Sequence, residues 1–120
     1  MVDHRARTLT VASTFAALAD PTRLAVVRLL SEEPRRAGEL AGSLDMSAAA
    51  MSRHLRVLRK SGLIAEQGIA DDARVRVYHL EKKPFAQLHV WLAEVEQFWG
   101  GQLAAFEQHV ARRRTRRRER

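Results

Sequence analysis

Apolar residues along the chain fall first on helical spacing, then on alternating spacing, then on helical spacing again. Val11, Phe15 and Leu18 form one stripe, which predicts a helix over residues 8–19. Asp20-Pro21 restarts the chain as an N-cap followed by a first-turn proline. The helix that follows uses Leu24, Val27 and Leu30 for the core and ends by Pro34. Leu40 and Leu44 lie one turn apart, and Met51, Leu55 and Leu58 repeat at i, i+4 and i+7, so two short amphipathic helices follow over residues 37–62. Ala41 is small enough to let them cross steeply over a short connection. Asp45 occupies the turn and tolerates a left-handed backbone, Ser47 is placed to cap the second helix, and Gly62 ends it.

Beyond Gly62 the period drops to two. Residues 63–69 and 74–80 are β-prone runs around Ala70-Asp71-Asp72-Ala73, which predicts a hairpin. Val75 and Val77 alternate with Arg74, Arg76 and Tyr78, so the valines are expected to pack and the arginines to point outward. Pro84 opens a last long helix, in which Phe85, Leu88, Leu92, Val95, Trp99, Leu103, Phe106 and Val110 recur at steps of three and four, widened by Trp91 and Phe98. That is more apolar surface than an outer helix of a small domain hides against its own core, and a partner subunit is the simplest cover. A wholly intramolecular core is the alternative. Gly100-Gly101 costs roughly 1.5–2 kcal/mol relative to alanine in a helix interior, and is compatible with a kink, a break or close backbone contact across a dimer axis.

These elements give a mainly α fold with a small β-hairpin: a winged helix-turn-helix of about five helices and one two-stranded wing. Residues 1–110 are expected to form one DNA-binding and dimerisation domain, and 111–120 an arginine-rich tail. With Met51, Leu55 and Leu58 inward, the opposite face of the second short helix is Ala48, Ala49, Ser52, Arg53 and Arg56. Positions near a helix N-terminus reach base edges in a major groove, and among these Arg53 is able to contact guanine bidentately. A solvated basic helix is the competing reading. The hairpin favours the first, since it forms a wing whose Arg74 and Arg76 would lie over phosphates; an edge strand guarded by charge is the alternative for both.

The net charge of +7 is uneven: residues 111–120 hold seven arginines against Glu119, leaving about one net positive charge on the rest. The tail reads as a frayed helical extension or a disordered segment, either adding phosphate affinity or remaining solvated.

Several blocks in order, FAALADPTRLAVVRLL from Phe15, then GEL, LDMSAAAMSRHLRVLRKSGLI and RVRVYHL, resemble the ArsR/SmtB family of winged-helix repressors over about residues 15–80. The resemblance implies a homodimeric repressor on a palindromic operator. Base contacts would come from the first two turns of the second short helix, here Ala48, Ala49, Ser52 and Arg53, with Ser47, Arg56, Arg74 and Arg76 completing the expected DNA surface. Alanine at 48 and 49 departs from the polar residues frequent in relatives; it touches a thymine methyl but donates no hydrogen bond, leaving direct readout to Ser52 and Arg53. The family's first and last helices dimerise, which assigns Phe15, Leu88, Trp91, Leu92, Val95, Phe98, Trp99, Leu103 and Phe106 to the interface. Arg23 falls in a matching block and is expected to be structural rather than a DNA contact.

Relatives that sense metal through the last helix carry an acid-x-His and, about three turns on, a His-x-x-acid pair. Here the positions are Gln87-Leu88-His89 and then Gly100 and Leu103, which do not ligate zinc. His89, Glu96 and His109 share a face but are scattered, while His54 and His79 are expected to pack or hydrogen-bond. With zero cysteines, thiolate sites and thiol redox sensing are excluded. No metal or cofactor is therefore expected, and a small-molecule inducer is left open. An enzyme is not expected: there is no phosphate-cradling glycine loop and no nucleophile with a base, and Glu32-Glu33 and Asp71-Asp72 read as solvated turn charges. No apolar run approaches a membrane span and residues 1–10 lack a signal core, so a cytoplasmic protein is expected, and the alanine- and arginine-rich usage suits a GC-rich bacterial genome. Two other functions stay open: a low-specificity nucleoid-type DNA-binding protein, and a winged-helix module for protein contacts.

Overall fold

The computed structural model describes residues 4–69 and 72–119. Among them the elements run α1 (His4–Leu18), α2 (Pro21–Glu32), β1 (Arg35–Arg36), α3 (Ala37–Ser43), α4 (Ala48–Lys60), β2 (Ile64–Ile69), β3 (Asp72–Leu80) and α5 (Lys82–Glu119). They fall into two compact units, Met1–Leu88 and His89–Arg120.

In the first unit α1 begins four residues before the expected start, and its buried face is Val11, Thr14 and Ala17 rather than Val11, Phe15 and Leu18. Thr14 is buried because its hydroxyl donates to the Thr10 carbonyl at 3.1 Å, so no polar group is stranded. Phe15 is left 42% exposed. The cap of α2 forms as expected: the Asp20 carboxylate accepts from the amides of Thr22 at 2.8 Å and Arg23 at 3.1 Å, with Pro21 in the first turn. Its core residues are Val26 and Leu30, with Val27 packed beside them. Leu24, expected in the core, is 52% exposed, because two helical positions turn it about 200° away from Val26.

The turn between α3 and α4 is built from local bonds. Leu44 N–H donates to the Leu40 carbonyl at 3.1 Å and Met46 N–H to the Ala41 carbonyl at 2.9 Å. Asp45 takes a positive φ of 52°. Ser47 Oγ accepts from the Ala50 amide at 3.1 Å, capping α4. Leu40, Ala41, Met51, Leu55 and Leu58 are buried and lock the two helices into one core. At the far end of α4, Gly62 at φ 79° lets the Leu63 amide reach back to the Leu58 carbonyl at 3.0 Å, a left-handed C-cap of the Schellman type.

The hairpin forms with Ile64 opposite Leu80 and Glu66 opposite Tyr78, and a bulge lies at Gly68/Ile69. Its expected tip at Ala70 and Asp71 lies outside the described residues. A third strand joins it, giving the order β1-β3-β2, with Arg35 opposite Tyr78 and Arg36 opposite Val77. Two residues beside Pro34 carry no alternation, so β1 leaves no periodic signal. The strand face that meets the core is that of Tyr78 and Leu80, not that of the valines. Arg76 shares the Tyr78 side, because residues two apart in a strand point the same way.

Helix α5 begins in the first unit, runs without interruption through Gly100-Gly101 to Glu119, and none of its residues is fully buried. A Cβ at either glycine would meet nothing within 4 Å. The helix opens two residues before Pro84, which therefore sits in the first turn, where its missing N–H is not required. Phe85, still in the first unit, packs against the core. The arginines at 112–118 extend the helix rather than forming an irregular tail.

Candidate nucleic-acid interface

Helix α4 divides cleanly into two faces. Met51 and Leu58 are 0% exposed and Leu55 2%, so the helix is anchored by its whole apolar stripe. Ala48, Ala49, Ser52, Arg53 and Arg56 are all exposed and contiguous on the other side. Among the described residues neither Arg53 nor Arg56 is paired with an acid, so both guanidinium groups are available to an acceptor. Ser47 is exposed too, but its hydroxyl is engaged as the cap. The first-turn amides and the positive end of the helix dipole lie on this end of α4, which favours an anion there.

Arg74 and Arg76 on β3 are exposed. Arg76 is tied down: its NH1 donates to Glu66 Oε1 at 2.8 Å. Glu66 Oε2 accepts from Arg59 NH1 at 2.9 Å and from the Tyr78 hydroxyl at 3.2 Å. The Glu66 side chain is only 13% exposed, so α4, β2 and β3 meet at one nearly buried carboxylate. Burial, and then the neighbouring Glu66 charge, raise the Tyr78 pKa above the usual phenol range. Periodicity marks Arg59 only as one of several basic residues on the helix and does not single out Glu66. The available signal is a lone acid in an otherwise apolar strand start, seven residues after an arginine.

A second polar knot holds α1, α2 and α4 together. Arg23 Nε donates to the Ala17 carbonyl at 2.6 Å, and its NH1 lies 3.3 Å from His54 Nδ1. Asp20 is within 4.0 Å of Arg23 and 3.9 Å of His54. The Arg23 backbone amide is the main cause of a lowered Asp20 pKa, with the Thr22 amide and the Arg23 and His54 charges acting the same way against desolvation. Arg23 thus links α1, α2 and α4 within the first unit.

Among the described residues no three His, Asp or Glu side chains stand together as a metal site. His79 Nε2 lies 3.1 Å from Glu81 Oε1. Along α5, Leu92, Phe98, Trp99, Leu103 and Phe106 are 47–68% exposed, and Leu88, Trp91 and Val95 are half-buried. No helix among the described residues is long and apolar enough to cross a membrane.

A helix pair locked at its turn, an outward helix face carrying unpaired arginines, and a hairpin behind it define a winged helix-turn-helix DNA-binding protein. The family described as "Bacterial regulatory protein, arsR family" matches residues 20–66. The HTH-type transcriptional regulator Rv2034 of Mycobacterium tuberculosis is 36% identical over 94 residues, covering 78% of this chain and 82% of that protein. The arsenical resistance operon repressor of Escherichia coli K12 is 46% identical over 54 residues, 44% of this chain and 46% of that one. An ArsR-like transcriptional regulator from Rhodococcus sp. RHA1 superposes with a TM-score of 0.69 at 29% identity, over 84% of this chain and 92% of that one. The chain belongs to the ArsR family and is a DNA-binding transcriptional regulator, not an enzyme.

Proposed function

We propose that the protein is a homodimeric repressor that binds a palindromic operator through two copies of α4 and acts in the bacterial cytoplasm without a metal. The observation that carries this reading is the exposed face of α4, with Arg53 and Arg56 unpaired over a fully buried anchor. Arg53 and Ser52 read base edges, Ala48 and Ala49 admit thymine methyls, and Ser47, Arg56, Arg74 and Arg76 flank them along the backbone. Repression is supported by the similarity to a protein named as an operon repressor. Dimerisation is supported by aromatic exposure: Trp99 at 60%, Phe98 at 68% and Phe106 at 63% are costly to leave in water. Phe15 and the α5 stripe from Leu88 through Trp91, Leu92, Val95 and Leu103 are the surfaces assigned to the partner subunit. Residues 1–110 then act as one DNA-binding and dimerisation domain, with 111–120 as a basic extension.

Sedimentation of the full chain combined with footprinting of the region upstream of its own coding sequence tests the proposal. A dimer protecting two half-sites about one helical turn apart, unaffected by a chelator, is the expected result. A monomer, or protection without a preferred site, contradicts it.

A further inference from the structure

We propose that Arg59 and Arg76 form a two-pronged clamp for a DNA backbone phosphate where α4 meets the wing, and that Glu66 is the positioning residue that sets it. The inference rests on the DNA-binding reading and adds to it a contact residue, Arg59, and a buried support. Glu66 uses both of its oxygens: Oε1 accepts from Arg76 NH1 at 2.8 Å, and Oε2 from Arg59 NH1 at 2.9 Å and from the Tyr78 hydroxyl at 3.2 Å. Each arginine reaches the carboxylate through NH1, and their side chains are 52% and 61% exposed, so both guanidinium groups remain accessible from solvent. The Glu66 side chain is 13% exposed. An approaching anion therefore meets two cations in front of one sheltered acid, and the site is net positive.

Arginine is suited to this, since its planar fork donates in several directions at once. One N–H holds the support while the others meet phosphate oxygens. Two flexible side chains fixed on DNA would each lose rotamer freedom on binding; held by Glu66, they have lost it already in the free protein. Arg59 also sits in the last turn of α4, where the helix dipole favours a cation. The clamp is thus drawn from the recognition helix and both wing strands, and it fixes the angle between them and the duplex.

The test is a fluorescence-anisotropy salt series with the full chain, a labelled duplex from its own upstream region and a shuffled duplex of the same composition. Glu66→Gln keeps the side-chain shape and an acceptor for Tyr78 but removes the charge that holds the arginines. The double variant R59A/R76A is expected to weaken binding to both duplexes and flatten the salt slope by about 1. E66Q is expected to weaken binding to both by about five- to tenfold in the wild-type background, and to have no further effect in the R59A/R76A background. A support that merely stabilised the fold would cost the same in both backgrounds, and that result overturns the proposal. So does unchanged or tighter binding by E66Q. If Arg53→Ala weakens binding while E66Q does not, the clamp fails and the DNA-binding reading stands. Absence of binding by the unaltered protein overturns both.

Discussion

Replacing Arg23 by alanine removes three contacts of unequal worth. The Nε donor to the Ala17 carbonyl is short, at 2.6 Å, and the side chain is 17% exposed, so this charge-assisted bond is worth about 1.5–3 kcal/mol. The approach to His54 at 3.3 Å is longer and contributes less. The ion pair with Asp20 at 4.0 Å is at the limit of contact and partly in solvent, and adds close to nothing. The alanine also leaves the carbonyl near the end of α1 without its donor and strips the aliphatic stem from the packing. A total of about 2–3 kcal/mol lowers the melting temperature of a chain of this length by roughly 6–12 °C. Arg23→Lys keeps the charge but not the fork, and falls between the two. Circular dichroism melts at one fixed protomer concentration measure this, since the melting point of the proposed dimer would depend on concentration. DNA binding of the folded variant at low temperature should keep the wild-type salt slope. An unchanged melting temperature with a flattened slope would make Arg23 a phosphate contact instead of a tie between helices.

Gly62 is at φ 79° and an added Cβ there would have nothing within 4 Å, so Gly62→Ala meets no clash and only the backbone cost, about 1 kcal/mol; a melting point equal to wild type would contradict the left-handed cap. Asp20 has a folded pKa below its ordinary value, so the stabilisation it provides is fully present above about pH 4 and is lost as pH falls through the lowered folded value. Asp20→Asn still caps α2 but does not titrate, and urea midpoints between pH 7 and pH 3 should fall less steeply for it than for wild type. Parallel pH profiles would show that the Asp20 contacts to the α2 amides contribute nothing in solution.

The helix-turn-helix is legible in the sequence because its signals are local. The spacing of Met51, Leu55 and Leu58, the Ser47 cap, the αL turn at Asp45 and the Gly62 stop are each properties of a few neighbouring residues. What escapes depends on chain segments distant in sequence. Thr14 enters the core because a bond to its own helix satisfies its hydroxyl, and Phe15 is thereby displaced outward. Leu24 is hydrophobic but faces away from Val26, a matter of phase that three apolar positions do not settle. Strand β1 exists only because β3 is there to pair with it. The face of β3 that packs is chosen by the partners of Tyr78 and Leu80, not by the preference of valine for burial. The outward surface of α4 follows directly from its buried stripe, whereas the Glu66 cluster joins three elements and carries no periodic trace.

In the proposed repressor the outward face of α4 reads a particular DNA sequence. Anisotropy titration of the full chain near 150 mM salt, with its own upstream duplex and a shuffled one, tests it most directly, comparing wild type with Arg53→Ala. Wild type is expected to prefer its own duplex by about a thousandfold or more, and the variant to lose about 10- to 100-fold on that duplex with little change on the shuffled one. Equal binding of wild type to both duplexes, or an Arg53→Ala variant that keeps its preference, would contradict the claim.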